Sequence, residues 1–305
     1  MNPRLKRFGE RALLGSGVEL LARRAKTTKT IVLAYHNIVP DGKVVRGEVS
    51  LHLEQLQFCR QLDLLTRTHD VIPLEALGVS RPSPNRPRVV ITFDDAYSGA
   101  LTIGVAELVR RGIPATIFVT PSLLGSVCWW DVLADPHTGA LDDDSRRYAL
   151  DALTGRSEQI RRWAHDRKMD AIGRNDSLPH IGTEKDLDRI ASAPGITLGS
   201  HTWSHANLTR LSAEDLESEL KLPLEWLKTR FRSFIPWLAY PYGISDERTE
   251  AAAARAGYIG AFRIAGGWLR QAVSLPTFDL PRFNVSSGLS LEGFALRLAG
   301  IGPGV

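Results

Sequence analysis

Three short segments of the 305-residue chain hold residues of the kind that perform hydrolysis: Thr92-Phe93-Asp94-Asp95, His201-Thr202-Trp203-Ser204-His205 and Tyr240-Pro241-Tyr242-Gly243. Each follows an apolar run. Two adjacent acids at the end of an apolar strand are costly without a partner, and a metal would stabilise one of them as a ligand. Two histidines four residues apart can reach one ion from a turn or a helical start. One carboxylate and two imidazoles leave coordination positions open for water, which is the pattern of a hydrolytic site, and the second carboxylate can then act as base on that water. Either feature alone is usually incidental, since paired Asp often marks a solvated turn and His-x-x-x-His spacing recurs without a metal. Their joint occurrence after separate strands gives them weight.

Convergence of the three segments requires a scaffold. Thr30–Tyr35, Val89–Phe93, Ala115–Val119, Ile196–Gly199, Trp237–Tyr240 and Tyr258–Phe262 read as strands. Between them lie helical patterns: Leu51–Leu65 with Leu53, Leu56, Cys59 and Leu62 on one stripe, Ala106–Arg110 with a stop at Gly112, and Asp246–Ala256 ending at Gly257. A further helix opens at Ser212-Ala213-Glu214-Asp215 and runs through Leu227, with Pro223 predicted to kink or split it, and Leu291–Leu298 reads as the last helix. Strands alternating with helices imply an α/β fold of parallel βαβ units, and this length favours closure into a barrel over an open sheet. In a parallel barrel the active site is built at the C-terminal ends of the strands, where all three segments fall. The interval from about 122 to 193 interrupts the alternation and reads as a helical insertion within a barrel domain spanning 30–305.

Ile91-Thr92-Phe93-Asp94-Asp95, Ser200-His201-Thr202-Trp203-Ser204-His205 and Ala239-Tyr240-Pro241-Tyr242-Gly243 together resemble the first three motifs of the polysaccharide deacetylases, the family-four carbohydrate esterases with a NodB-type homology domain. The resemblance extends from about Ile31 to Val285. It implies a distorted (β/α) barrel of about seven parallel strands and a metal-dependent hydrolase that removes N-acetyl groups from N-acetylhexosamine units of a glycan or glycoconjugate. It assigns Asp94 as the base, Asp95, His201 and His205 as ligands of a divalent ion, with zinc the first choice, and the Tyr242 backbone N–H to the oxyanion. Two other readings fit the same residues. One is a different carbon–nitrogen amide hydrolase, deformylase-like, on this scaffold. The other is an inactive carbohydrate-binding protein, against which the intact Asp94, Asp95, His201 and His205 argue.

The chain departs from the family pattern in three places. Ala239 stands where an Arg that pairs with the base is common, Asp279–Val285 takes the place of the fourth motif, and no His follows His205 to act as the late acid. His36, in Ala34-Tyr35-His36-Asn37-Ile38, resembles the early His of the exopolysaccharide-deacetylase branch, which takes the acid's role; its alternative is a structural, hydrogen-bonded His. Arg282 is the candidate replacement partner for Asp94, or else a surface residue. Trp129 and Trp130 could form a sugar platform with Asp131 on a hydroxyl, or could pack the insertion onto the barrel. Tyr240 is placed with substrate, and Tyr35 and Trp268 are further candidates for the pocket wall. His137, His165 and His180 read as surface residues.

Composition narrows the setting. The chain is 43% hydrophobic and 24% charged with two cysteines, Cys59 and Cys128, which excludes a disordered chain and a disulfide scaffold. The net charge is +4, but residues 1–29 hold eight basic side chains against two acidic ones, a charge of +6, which leaves −2 for residues 30–305. The body is therefore not a nucleic-acid surface. In the head, Leu5, Phe8, Ala12 and Leu13 fall at helical spacing among Arg4, Lys6, Arg7 and Arg11, and Val18, Leu21 and Ala22 continue the stripe after Gly15-Ser16-Gly17. Such a segment either covers one end of the domain or lies on an anionic membrane surface. No apolar run there matches the core of a signal peptide, which predicts a cytoplasmic enzyme, peripheral at the inner membrane face, and favours a lipid-linked or unfinished glycan as substrate.

Overall fold

The computed structural model describes residues 3–79, 85–169, 178–270 and 274–302. Residues 170–177 of the insertion lie outside the described residues, as do the side chains of Arg4, Leu5 and Lys6. Eleven strands form: β1 Lys29–Tyr35, β2 Asn37–Val39, β3 His52–Glu54, β4 Asp70–Val71, β5 Arg88–Phe93, β6 Ala115–Val119, β7 Ile196–Ser200, β8 Phe234–Ala239, β9 Gly260–Ile264, β10 Leu269–Arg270 and β11 Thr277–Asn284. Seven of them close a barrel in the order β1-β5-β6-β7-β8-β9-β11, with β11 returning to β1. Every pairing in that ring is parallel. The expected distorted (β/α) barrel is the observed fold.

Side chains alternate across a strand with period two, and that parity separates the barrel interior from its helical coat. Val32 of β1, Val90 of β5, Phe118 of β6, Phe262 of β9 and Leu280 of β11 form one buried cluster with Leu74, Leu77 and Leu269. Their sequence neighbours Ile31, Leu33, Val89, Ile91 and Ile117 belong to the cluster that meets the helices, as does Phe283 beside Arg282. At the N-terminal end of the barrel β10 pairs antiparallel with β1, Lys29 opposite Arg270, and β4 extends the edge of β5.

Two local expectations are corrected. The helix predicted over Leu51–Leu65 spans Gln55–Thr68, because Val49–Leu51 forms a 3-10 turn and His52–Glu54 pairs with β2. The later start rotates the stripe: Phe58, Leu62 and Leu65 are buried with Gln61, while Leu56 is exposed. Pro223 does not split its helix, which runs unbroken from Ala213 to Arg230 with Pro223 buried inside it. Between β6 and β7 the chain forms the helices Trp129–Leu133, Asp143–Asp151, Ser157–Asp166 and Glu184–Ile190. The two cysteines are free. No helix among the described residues is long and apolar enough to cross a membrane.

One glycine fixes how the segment after β5 packs. A Cβ on Gly99 would stand 2.0 Å from the Ile38 carbonyl oxygen and 2.4 Å from Asn37 Oδ1. The π-helical turn Ala100–Gly104 therefore approaches β2 by way of a residue without a side chain. Gly99→Ala is expected to lower the urea unfolding midpoint by an amount equivalent to about 3 kcal/mol, since overpacking against backbone cannot be relieved by a rotamer change; an unchanged midpoint would contradict this packing.

Candidate active site

The inward parity of the strands continues past their C-terminal ends and selects the site. His36 follows Val32 and Ala34, Asp94 follows Val90 and Thr92, and Arg282 and Asn284 follow Leu280. His36, Asp94, Asp95, His201, His205, Tyr242 and Asn284 line one cavity of about 320 Å³, walled by Trp129, Trp130, Glu48 and Arg146. The backbone bond from Asp94 N–H to the Tyr35 carbonyl, 2.9 Å, sets the His36 and Asp94 segments side by side.

Asp94 is held by Arg282. The guanidinium donates from Nη1 to Oδ1 and from Nη2 to Oδ2, both at 2.7 Å, and Nη1 also reaches Thr92 Oγ1 at 3.1 Å. Both side chains are buried. The guanidinium carbon lies 5.3 Å from the Phe118 ring centroid and 5.6 Å from that of Phe262, so aromatic faces flank the cation. Burial alone would push the Asp94 carboxyl up; the Arg282 charge outweighs it and holds the group well below the usual carboxylate range. Asp94 is thus ionised and fixed in orientation.

Beside it, Asp95, His201 and His205 present three donor atoms. The two imidazole Nε2 atoms are 3.1 Å apart, and Asp95 Oδ1 lies 3.2 Å from that of His205 and 3.5 Å from that of His201. Asp95 Oδ1 is buried and makes no aligned hydrogen bond. A tetrahedral ion bound at about 2.0–2.1 Å separates its ligand atoms by about 3.3 Å, so this triangle matches one face of such a site. Among the described residues this is the one cluster of its kind. His201 Nδ1 faces the Ala239 carbonyl oxygen at 2.7 Å, which directs Nε2 at the cluster, and burial pushes this imidazole down to about 4, keeping it in the neutral form a metal ligand needs. Backbone strain collects here. Of seven non-glycine residues with positive φ among the described residues, five are Asp95, Ala96, Thr202, His205 and Tyr242. The Tyr242 ring lies 4.5 Å from that of His205, and its hydroxyl accepts from Trp129 Nε1 at 3.2 Å.

Other candidates lie elsewhere. The Asp131 carboxylate does not face the cavity: Oδ1 faces His52 Nε2 at 3.0 Å and accepts from Glu48 N–H at 2.9 Å, and Oδ2 accepts from Tyr97 O–H at 2.7 Å. Trp129 and Trp130 reach the wall but are nearly fully buried; Trp130 donates to Tyr97 Oη and its ring lies tilted, 4.8 Å from that of His205, so the pair packs the insertion against the Asp95–His201–His205 cluster. Tyr240 has the opposite parity to Ala239 and sits outside the barrel with Leu238 and Ala253. Tyr35 also points outward and donates to Gln61, and Trp268 stacks on His69. His137, His165 and His180 are exposed. Sequence reasoning missed Asn284, which the parity of Arg282 would have found. It also missed Glu48, Ser50 and Arg146, which loops and the insertion bring in without a local signal; Arg146 donates to Glu48 at 3.1 Å across the rim.

Comparison with known proteins gives the family and the fold. The family model described as polysaccharide deacetylase matches residues 81–261. The Bacillus subtilis (strain 168) protein YxkH, assigned by name to the polysaccharide deacetylases, is 23% identical over 279 residues, which cover 88% of this chain and 76% of YxkH. The structure of IcaB from Ammonifex degensii superposes with a TM-score of 0.61 at 16% identity, covering 89% of this chain and 97% of that one. A de-N-acetylase from Aggregatibacter actinomycetemcomitans gives a TM-score of 0.58 at 13% identity, covering 88% and 99%.

The Arg282–Asp94 pair yields a double-mutant test. Arg282→Met is expected to destabilise the fold by about 3–5 kcal/mol, because it strands a buried carboxylate. Asp94→Asn combined with Arg282→Met should recover much of that loss in urea melts, whereas additive losses would mean that the two groups are not coupled.

Proposed function

Because the chain belongs to the polysaccharide deacetylase family, we propose that it hydrolyses N-acetyl groups on N-acetylhexosamine units of a glycan with the help of a divalent ion, zinc before others. The observation that carries this reading is the Asp95–His201–His205 donor triangle beside an Arg-paired Asp94 in one cavity. The de-N-acetylase among the similar structures supports the choice of an amide over an ester.

Asp95, His201 and His205 would hold the ion, which supplies Lewis acidity toward a water and the acetyl carbonyl. The protein's own groups do the rest. Asp94, kept ionised by Arg282, takes one proton from the attacking water as its oxygen bonds to the carbonyl carbon. The Tyr242 segment, strained into a left-handed conformation at φ 59°, offers its backbone N–H to the carbonyl oxygen as negative charge develops. The carbon–nitrogen bond then breaks, and the departing nitrogen needs a proton. We assign that proton to His36, which lines the same cavity as Asp94. Burial, the largest influence, holds its imidazole below its usual range, so the resting group is neutral and passes on the proton that Asp94 took from the water. The products are acetate and a free amine on the sugar.

Metal analysis combined with acetate release from N-acetylglucosamine oligomers tests this reading. About one ion per chain and chelator-sensitive acetate release are expected. Bound metal without acetate release would favour an amide hydrolase for another acyl group, such as formyl. An apoprotein that binds oligomers without turnover would favour a carbohydrate-binding role. His36→Ala should retain the ion and lose turnover by about 100-fold or more, the range for a removed general acid; turnover close to wild type would remove His36 from the mechanism.

A further inference from the structure

Residues 7–24 turn their apolar stripe away from the barrel, and we infer that this face docks on an anionic lipid bilayer. Two helices make up the segment, Pro3–Gly15 and Val18–Arg24. Both carboxylates in it are turned inward and engaged: Glu10 accepts from Ser290 Oγ at 2.6 Å, and Glu19 accepts from Arg23 Nε at 3.0 Å. The large apolar side chains point outward. Phe8 is 74% and Leu21 66% exposed, Leu13, Val18 and Leu20 are also exposed, and the second helix buries no residue. A terminal helix that covers a core does the reverse. Arg7 and Arg24 are exposed around these side chains, so the outer face combines apolar groups with cations, while Arg11 is paired with Glu292.

That combination suits one class of surface. In the interface of a bilayer with anionic headgroups, apolar side chains enter the acyl boundary and guanidinium groups meet phosphates. A second copy of the chain would bring the same cations face to face, and like charge opposes that contact. Placement adds a functional consequence. Arg11 and Glu10 meet Glu292 and Ser290, where the helix Leu291–Leu298 begins after β11 beside the cavity. Arg23 reaches the Thr68 carbonyl oxygen, and Lys26 reaches Gly300 and Trp268, at the opposite end of the barrel. The segment therefore runs along the flank of the barrel, and docking through it would bring that flank to the headgroups.

Vesicle co-sedimentation of the full chain tests the surface independently of catalysis. The chain should pellet with vesicles containing about one third phosphatidylglycerol and not with pure phosphatidylcholine, and the bound fraction should fall as salt rises. Phe8→Glu combined with Leu21→Glu should weaken binding about tenfold or more while leaving the thermal melt unchanged, because both side chains are exposed. Equal pelleting of variant and wild type, or no preference for anionic vesicles, would overturn the inference. So would a wild-type dimer in light scattering that the variant abolishes, since that would identify a second copy as the occupant.

Discussion

A carboxylate and a guanidinium, each cut off from solvent, meet inside the barrel through two parallel 2.7 Å hydrogen bonds. Removing both charges from water is expensive, and good geometry with matched polar contacts is needed to offset it. The chain meets that requirement with the two barrel strands flanking β1, Thr92 and Asp94 from β5 and its end and Arg282 from β11, and with the rings of Phe118 from β6 and Phe262 from β9 on the guanidinium. Barrel closure is therefore a condition for an ionised Asp94. The same pair explains how Ala239 can stand where the motif resemblance leads one to expect an Arg: the cation arrives from the last strand instead. What position 239 contributes is its carbonyl oxygen, which orients His201.

Much of this arrangement is legible in the sequence, and for a specific reason. The Asp-Asp, His-x-x-x-His and Tyr-Pro-Tyr-Gly segments sit directly after strands, and strand parity is a local rule. Counting by two from Val90 to Asp94, from Val32 to His36 and from Leu280 to Arg282 puts all three side chains in the interior. The same count puts Tyr240 and Tyr35 outside the barrel, where Tyr240 packs with Leu238 and Ala253 and Tyr35 donates to Gln61. The helix start at Gln55 was less accessible, because the short pairing of His52–Glu54 with Asn37–Val39 depends on a contact between distant strands.

The insertion was the least legible part. Its Trp-Trp-Asp sequence invites a sugar-binding reading, yet Asp131 is a buried hub for His52, Tyr97 and the Glu48 backbone. Trp130 is tied to Tyr97 and lies against His205. No local pattern distinguishes a Trp that faces a ligand from one that supports a buried histidine of the site. The distinction depends on hydrogen-bond partners supplied from residues 37–52 and 97, far from the insertion in sequence. The rim residues Glu48 and Arg146 come together by the same long-range route.

The closed floor of the cavity also bears on the order of events after bond cleavage. Beneath Asp94 and Arg282 lie Phe118, Phe262, Val32 and Val90, all buried, and the N-terminal end of the barrel is filled by Leu74, Leu77 and Leu269. Among the described residues this packing leaves the mouth at the C-terminal ends of the strands as the way into the cavity. In the proposed reaction acetate and the deacetylated glycan would share that one mouth, so the two products would have to use it in turn.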